Sequence, residues 1–253
     1  MKIGITERGD AGINLAWTNK INTVDGMVLI TKNITEPFCQ KVLELHNKGY
    51  HIVVHCTCTG YGSSALEPNV PNYEIQLQSL RYMIDRGFPG KLCVLRIDPI
   101  FPSQKGIKRV CEVLNHFKTL GLDKDVTRFR VSLVDEYKHV KARYRQHGWE
   151  PLYGNEFGPS YEQMQLVADE LKQYPYLYEL CAEDAFSLIL GPNHCIKQGC
   201  ISEKELVLWN LPVPSGMNLN PQNRHGCHCL SCKTEMLTER KTCPHQCVYC
   251  FWR

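Results

Sequence analysis

The chain has 253 residues, of which 43% are hydrophobic and 22% charged, with a formal net charge of +3; that is a globular profile whose charge is too small to demand a polyanionic partner. No apolar run reaches the roughly 18 residues of a membrane-spanning helix, and MKIGITERGD lacks an apolar signal core. A cytoplasmic protein with no membrane part is expected, made of one large domain or one domain with a small appendage.

Strand-like and helix-like stretches alternate over residues 1–185. MKIGIT, GMVLIT, HIVVHCTCT, KLCVLRI, RFRVSLV and YLYELCA are short and rich in apolar or β-branched residues. Between them, EPFCQKVLELHNKGY, NYEIQLQSLRYMIDRGF, GIKRVCEVLNHFKTLGL and YEQMQLVADELKQY repeat apolar residues every three or four positions, as a helix packed on a sheet requires. Parallel neighbours need a crossover, so this alternation predicts an α/β fold with a parallel sheet. Six units predict a complete or partial TIM-like (β/α) barrel, with a doubly wound open sheet as the alternative.

The residues ending these strands carry charge or a polar group: Arg8 and Asp10, Lys32 and Asn33, Thr59 and Tyr61, Arg96 and Asp98, Asp135, and Glu183. In a parallel barrel such ends share one face, where catalytic groups gather. The stretch EYKHVKARYRQHGW interleaves Lys138, Lys141, Arg143 and Arg145 with Tyr137, Tyr144 and Trp149. It reads either as a solvated outer helix or as a surface for phosphates and bases.

From residue 186 onward Gly, Pro and Asn break the periodicity, leaving a short helical ISEKELVLW. The expected division is a barrel over 1–185 and a cysteine-rich cap over 186–253. Eight of the 14 cysteines lie there: Cys195, Cys200, Cys227, Cys229, Cys232, Cys243, Cys247 and Cys250. In a reducing compartment such density points to metal rather than disulfides. Cysteines in the first half, Cys58 among them, read as buried small hydrophobes, although Cys58 or Tyr61 could donate a hydrogen atom to a substrate radical.

Cys243, Cys247 and Cys250 form C-x3-C-x2-C. Three thiolates can hold three irons of a 4Fe-4S cluster and leave the fourth open to S-adenosylmethionine. A zinc knuckle, with His245 confusing the ligand count, and an electron-transfer cluster with a fourth ligand elsewhere are the competing readings. The carboxylate of S-adenosylmethionine wants a cation such as Arg8, Lys32 or Arg96. Its ribose, or a substrate, wants a carboxylate such as Asp10, Asp98, Asp135 or Glu183. The bland reading of Arg96 and Asp98 is a structural ion pair.

The chain resembles a radical-SAM-like family of bacterial proteins known as a domain of unknown function, DUF1848. The resemblance runs nearly the full length, through RGD at 8–10, TKN at 31–33, YG at 61–62, EPNVP at 67–71, RIDP at 96–99, SLVDEY at 132–137, CAED at 181–184, CI at 200–201, NRHGCHC at 223–229 and TCPHQCVYC at 242–250. RGD departs from the family's usual Thr in its middle position. The resemblance implies that Tyr249 packs near an adenine and that Cys181, Cys200, Cys227 and Cys229 act together on a second, auxiliary 4Fe-4S cluster. Structural zinc is the alternative there, and Cys195 or Cys232 could substitute. RIDP also resembles spore photoproduct lyase relatives. Together with the basic aromatic stretch, this points to a nucleic acid or nucleotide substrate. The expected function is a radical S-adenosylmethionine enzyme generating a 5′-deoxyadenosyl radical, with Arg96, Asp98 and Tyr61 as catalytic candidates and a reductant such as ferredoxin or flavodoxin as partner. A non-catalytic metal-binding module and an electron carrier are the other function classes.

Overall fold

The computed structural model describes residues 1–213, 226–237 and 243–252. Within the expected motifs, 223–225 and Thr242 lie outside the described residues. Six strands fall where the apolar runs predict them: β1 (Ile3–Ile5), β2 (Gly26–Thr31), β3 (Ile52–Thr57), β4 (Cys93–Ile100), β5 (Phe129–Leu133) and β6 (Tyr178–Leu180). The helices are α1 (Glu36–Asn47), α2 (Tyr73–Asp85), α3 (Gln104–Thr119), α4 (Lys138–Gln146), α5 (Tyr161–Leu171), α6 (Asp184–Leu190) and α7 (Glu203–Leu208). Two further strands, β7 (Cys195–Lys197) and β8 (Lys233–Glu235), come from the tail.

All eight strands join one parallel sheet in the order β7-β6-β5-β4-β3-β2-β1-β8. The tail expected to cap the sheet therefore supplies both of its end strands. Neither strand had a sequence signal of its own: CIK and KTE lie in no apolar run, unlike the equally short β1 and β6, which sit within MKIGIT and YLYELCA. Beyond β7 and ahead of β8 the chain meets itself: Leu230 N–H donates to Ile201 O at 3.0 Å. Gly199 permits the close approach, since a Cβ there would stand 2.3 Å from His228 O.

Local chemistry starts the helices on time. Thr35, Asn72 and Ser103 accept from backbone N–H groups at the openings of α1, α2 and α3, and Ser160 and Ser202 build capping boxes for α5 and α7. Each such cap contributes about 1 kcal/mol. The apolar helix faces, such as Phe38, Val42 and Leu45 of α1 or Val113, Leu114 and Phe117 of α3, pack on the sheet in one continuous core. Burying a side chain of this size contributes about 1.5–3 kcal/mol, which is why the outer sheet face is so uniformly apolar.

The other sheet face is polar. Thr57, Arg96, Arg130 and Glu179 stand side by side on β3, β4, β5 and β6 in matched register. Glu179 accepts from Arg128 Nε at 2.7 Å, Arg130 Nη2 at 2.8 Å and Lys204 Nζ at 3.0 Å. Glu205 of α7 takes Arg128 Nη2 at 2.6 Å. This buried network ties α7 to the strands. No helix among the described residues is long and apolar enough to cross a membrane.

Candidate functional site

A cavity of about 520 Å³ opens where β1 to β6 end, between the terminal loop and the segment leading into β8. Its size falls in the range of small-molecule sites, roughly 300–1,000 Å³. Arg8, Asp10, Lys32, Arg96, Asp98, Asp135, Glu183 and Tyr249 line it, as do Cys243, Cys247, Cys250, Cys181, Cys200, Cys227 and Cys229. These fifteen sequence-derived candidates thus meet in a single chamber, whereas Tyr61 and Cys58, the candidate hydrogen-atom donors, do not line it. Tyr61 lines a separate cavity and packs edge-on against Phe101 at 5.0 Å. The loop after β3 turns it away from the strand ends. Burial pushes its phenol up to about 12.

The terminal loop reaches this chamber by contacts made across the whole chain. Asp10, at the end of β1, accepts from Gly12 N–H (2.8 Å), Thr31 Oγ1 (2.7 Å), Lys32 N–H (2.6 Å) and His245 Nε2 (2.9 Å). Its oxygens are occupied by the protein, so Asp10 organises the site and has little left to offer a ribose. Gly12 makes the turn possible, because a Cβ there would collide with Asn33 O at 1.8 Å. His245 also points Nδ1 at Asn69 O, 3.0 Å away. With an acceptor at each ring nitrogen, the doubly protonated ring satisfies both. Burial opposes that charge, yet Asp10 and the Asn69 carbonyl hold the imidazole above its ordinary pKa. His245 is therefore committed to hydrogen bonds and does not enter the ligand count.

Glu67 is the residue that sequence reasoning passed over. It lies in the loop after β3, fully buried, and accepts from Lys32 Nζ at 2.8 Å and from the Tyr249 hydroxyl. Burial alone would raise its carboxyl; Lys32, Tyr249 and Thr59 outweigh that and lower it. Nothing local in EPNVP announces this role, which depends on partners 35 and 182 residues away. Lys32 in turn lies 5.6 Å from the centre of the Tyr249 ring. Burial works against its charge, but Glu67 and the Cys247 sulfur raise its pKa.

Arg96 donates through Nε to Asp98 Oδ2 at 2.6 Å, and Ser132 Oγ donates to Asp98 Oδ1 at 2.5 Å. The pair is an internal ion pair that faces the chamber. Glu183 accepts from Leu133 N–H at 3.1 Å, and the Arg8 guanidinium sits 5.0 Å from the Trp252 ring centre. The Thr57 hydroxyl is buried in the wall with no hydrogen-bond partner among the described residues.

The two cysteine sets differ in geometry. Among the described residues, Cys181, Cys200 and Cys229 form the group whose ligand atoms all lie within 4.8 Å of one another. The Cys181 and Cys229 sulfurs are 4.0 Å apart, and Cys200 N–H donates to Cys229 Sγ at 3.2 Å. Cys227 lines the same chamber but stands outside this group. Cys195 and Cys232 do not line the chamber; Cys195 turns its thiol to Ser187 O and Gly191 O instead. Contact with Cys200 and burial push the Cys181 thiol up to about 12, and contact with Cys181 and burial do the same for Cys229. Arg130 and Lys233 bring positive charge to this trio, and both have raised pKa values despite burial.

The sulfurs of Cys243, Cys247 and Cys250 do not all lie within 4.8 Å of one another, unlike those of that trio. Burial pushes Cys243 up to about 11 and Cys247 to about 12, with the Lys32 charge opposing the rise in both. Thiols this costly to ionise while buried are suited to a metal that supplies the missing positive charge. Cys58 is a fully buried thiol that burial raises well above its ordinary pKa, in keeping with the small-hydrophobe reading.

The basic stretch divides its work. Lys141 is buried, with Nζ on Gly154 O at 2.8 Å and also on Glu156 O, and Arg143 Nη2 donates to Cys250 O at 2.6 Å. These two cations hold chain segments, including the terminal loop, and do not form a solvated phosphate-binding face.

Comparison with known families finds that residues 14–252 match the model described as Domain of unknown function (DUF1848), so the chain belongs to that family. No curated protein matches it.

Proposed function

We propose that this DUF1848 protein is a radical S-adenosylmethionine enzyme, with its eight-stranded sheet closed as a TIM-like barrel around the chamber. One observation carries the reading: Cys243, Cys247 and Cys250, whose sulfurs do not all lie within 4.8 Å of one another, line the same cavity as the charged or polar ends of six parallel strands. The unreversed strand order and the Leu230–Ile201 hydrogen bond favour closure.

The donor set suits an iron–sulfur cluster. Three soft thiolates fit three irons, and both His245 nitrogens are engaged elsewhere. When bound, such a cluster with an open iron supplies the electron that cleaves S-adenosylmethionine to methionine and a 5′-deoxyadenosyl radical. The chain's own groups then have positioning tasks. Lys32 offsets thiolate charge at Cys247. Glu67 fixes Lys32 and Tyr249 together, setting the ring that would lie near an adenine. Arg8 is left to meet a carboxylate, and Asp135 and Glu183 face the chamber from β5 and β6. Arg96 and Asp98 hold each other and present a polar floor.

The trio Cys181, Cys200 and Cys229 favours a different occupant. Tetrahedral zinc with bonds of about 2.3 Å sets its sulfurs about 3.8 Å apart, close to the 4.0 Å between Cys181 and Cys229. A cube would need wider spacing, since each thiolate binds a different iron. This favours a mononuclear metal over the auxiliary cluster. It also keeps open a second reading, a non-catalytic metal-binding protein. The proposed enzyme works in the cytoplasm, draws electrons from a reductant such as ferredoxin or flavodoxin, and acts on a nucleotide or nucleic acid.

Anaerobic reconstitution with iron and sulfide separates the readings. About four irons per chain, with dithionite-dependent release of 5′-deoxyadenosine that Cys247→Ala abolishes, supports the enzyme. Zinc alone with intact S-adenosylmethionine overturns it in favour of the binding module.

A further inference from the structure

The second cavity, about 480 Å³, is separate from the reactive chamber. Tyr61, Phe101, Tyr144 and Trp149 supply four aromatic rings to its lining, and Leu66 and Leu152 add apolar surface. Phe101 is the wall between the two spaces: its ring lies 5.0 Å from Tyr61 on one side and 5.4 Å from Tyr249 on the other. A cavity this size, lined by rings with few polar groups, has the character of a small-molecule site.

Three features define what it would take. The Tyr144 side chain is only 3% exposed, yet its hydroxyl has no hydrogen-bond partner among the described residues. Burial pushes that phenol's pKa up, so it stays protonated and available as a donor. An orphaned buried hydroxyl is costly, by about 1–3 kcal/mol, unless a ligand or water satisfies it. At the opening lie Ser103 and Lys105, the N-cap and second residue of the 16-residue helix α3, whose N-terminus favours negative charge. Arg109, one turn further along, also lines the space while pairing with Glu112 at 2.6 Å. Glu150 is the one carboxylate among the described lining residues, and it is exposed at the rim.

We propose that this cavity binds a planar aromatic group that carries an anionic substituent. The ring stacks among Tyr61, Phe101 and Trp149 and accepts a hydrogen bond from Tyr144. The anion lies at the α3 N-terminus beside Lys105 and Arg109. A nucleoside monophosphate presents this chemistry, and an aromatic carboxylate presents it as well. The site uses none of the cysteines, and its occupancy does not depend on the activity proposed for the first chamber.

Titration calorimetry on the full-length, metal-loaded protein tests the proposal. The probes are AMP, GMP, CMP and UMP for the nucleotide source, and indole-3-acetate for the aromatic carboxylate. One-to-one binding of at least one probe with Kd below about 1 mM is expected. Lys105→Glu, a change at an exposed side chain, should weaken it by about tenfold or more, as should Tyr144→Phe. Whichever probe binds more tightly identifies the source. Absence of binding by all five overturns the proposal. So does binding that both variants leave unchanged, which would place the ligand elsewhere. Binding needs no turnover, so failure here is distinct from failure of the radical reaction.

Discussion

His245 Nε2 lies 2.9 Å from Asp10 Oδ2, joining residues 235 positions apart and fixing the terminal loop against the end of β1. Asp10 also holds Gly12, Thr31 and Lys32, so a single carboxylate sets the register between two strand ends and the loop that carries three cysteines. Asp10→Ala removes four partners from a buried position and leaves the imidazole charge uncompensated. The expected cost is about 3–5 kcal/mol in urea unfolding. Metal bound at Cys243, Cys247 and Cys250 should be lost more readily than metal at Cys181, Cys200 and Cys229. Equal retention at both sites, with unchanged stability, would refute the anchoring role.

The two cysteine sets should be separable by substitution. Cys200→Ser removes the middle of the tight trio, and Cys247→Ser removes one ligand of the terminal set. Anaerobic metal analysis is expected to show that Cys200→Ser loses the mononuclear ion and keeps most cluster iron, while Cys247→Ser does the reverse. If each variant loses both metals, the chamber holds one shared site and the division by sulfur spacing is wrong.

Which of these relationships could be read in the sequence follows from their range. The six apolar runs and their amphipathic partners marked six strands and four helices, because period and burial are local signals. Lys32, Arg96, Asp98 and Asp135 were visible as charges abutting apolar runs, and all reach the chamber. The strands β7 and β8 were not visible, since CIK and KTE lie in no apolar run and their pairing depends on distant neighbours. Glu67 was hidden for the same reason: its partners Lys32 and Tyr249 are brought to it only by the assembled sheet. Cys227 was marked only by the family resemblance, which groups it with Cys181, Cys200 and Cys229; it lines the same chamber, while the sulfurs within 4.8 Å of one another are those of the other three.

The Arg96–Asp98 pair gives a pH signature. Burial would raise the Asp98 carboxyl, but Arg96 and the Ser132 hydroxyl overcome it and hold it below the ordinary range. A carboxyl with a depressed folded-state pKa contributes stability above its unfolded value, about 4. That contribution falls away as pH drops below 4 towards the folded value. Asp98→Asn should therefore cost about 1–3 kcal/mol at pH 7, because the pair is partly exposed. The difference between wild type and variant should shrink as pH falls below 4. Urea midpoints measured from pH 7 to pH 3 on metal-free protein report this. A difference that stays constant to pH 3 would mean that the lost carboxylate charge is not what the variant removes.

The buried network under α7 should govern stability more than any surface pair. Glu179 serves Arg128, Arg130 and Lys204, and Glu205 shares Arg128. The paired arginines and glutamates are almost fully buried, so desolvation has already cost much of what their attraction returns. Removing one acid leaves two guanidinium groups to share Glu205 and backbone carbonyls. Glu179→Gln keeps the volume and some hydrogen bonds but removes the charge; the expected loss is about 3–5 kcal/mol. Lys204→Met removes the most exposed member and should cost less than about 1 kcal/mol. Arg130 also faces Cys200, so Glu179→Gln should shift metal affinity at the trio while leaving the terminal set unchanged. Denaturant unfolding together with competitive chelation measures both effects. A variant as stable as wild type would mean that the network contributes specificity to the sheet's polar face and little net stability.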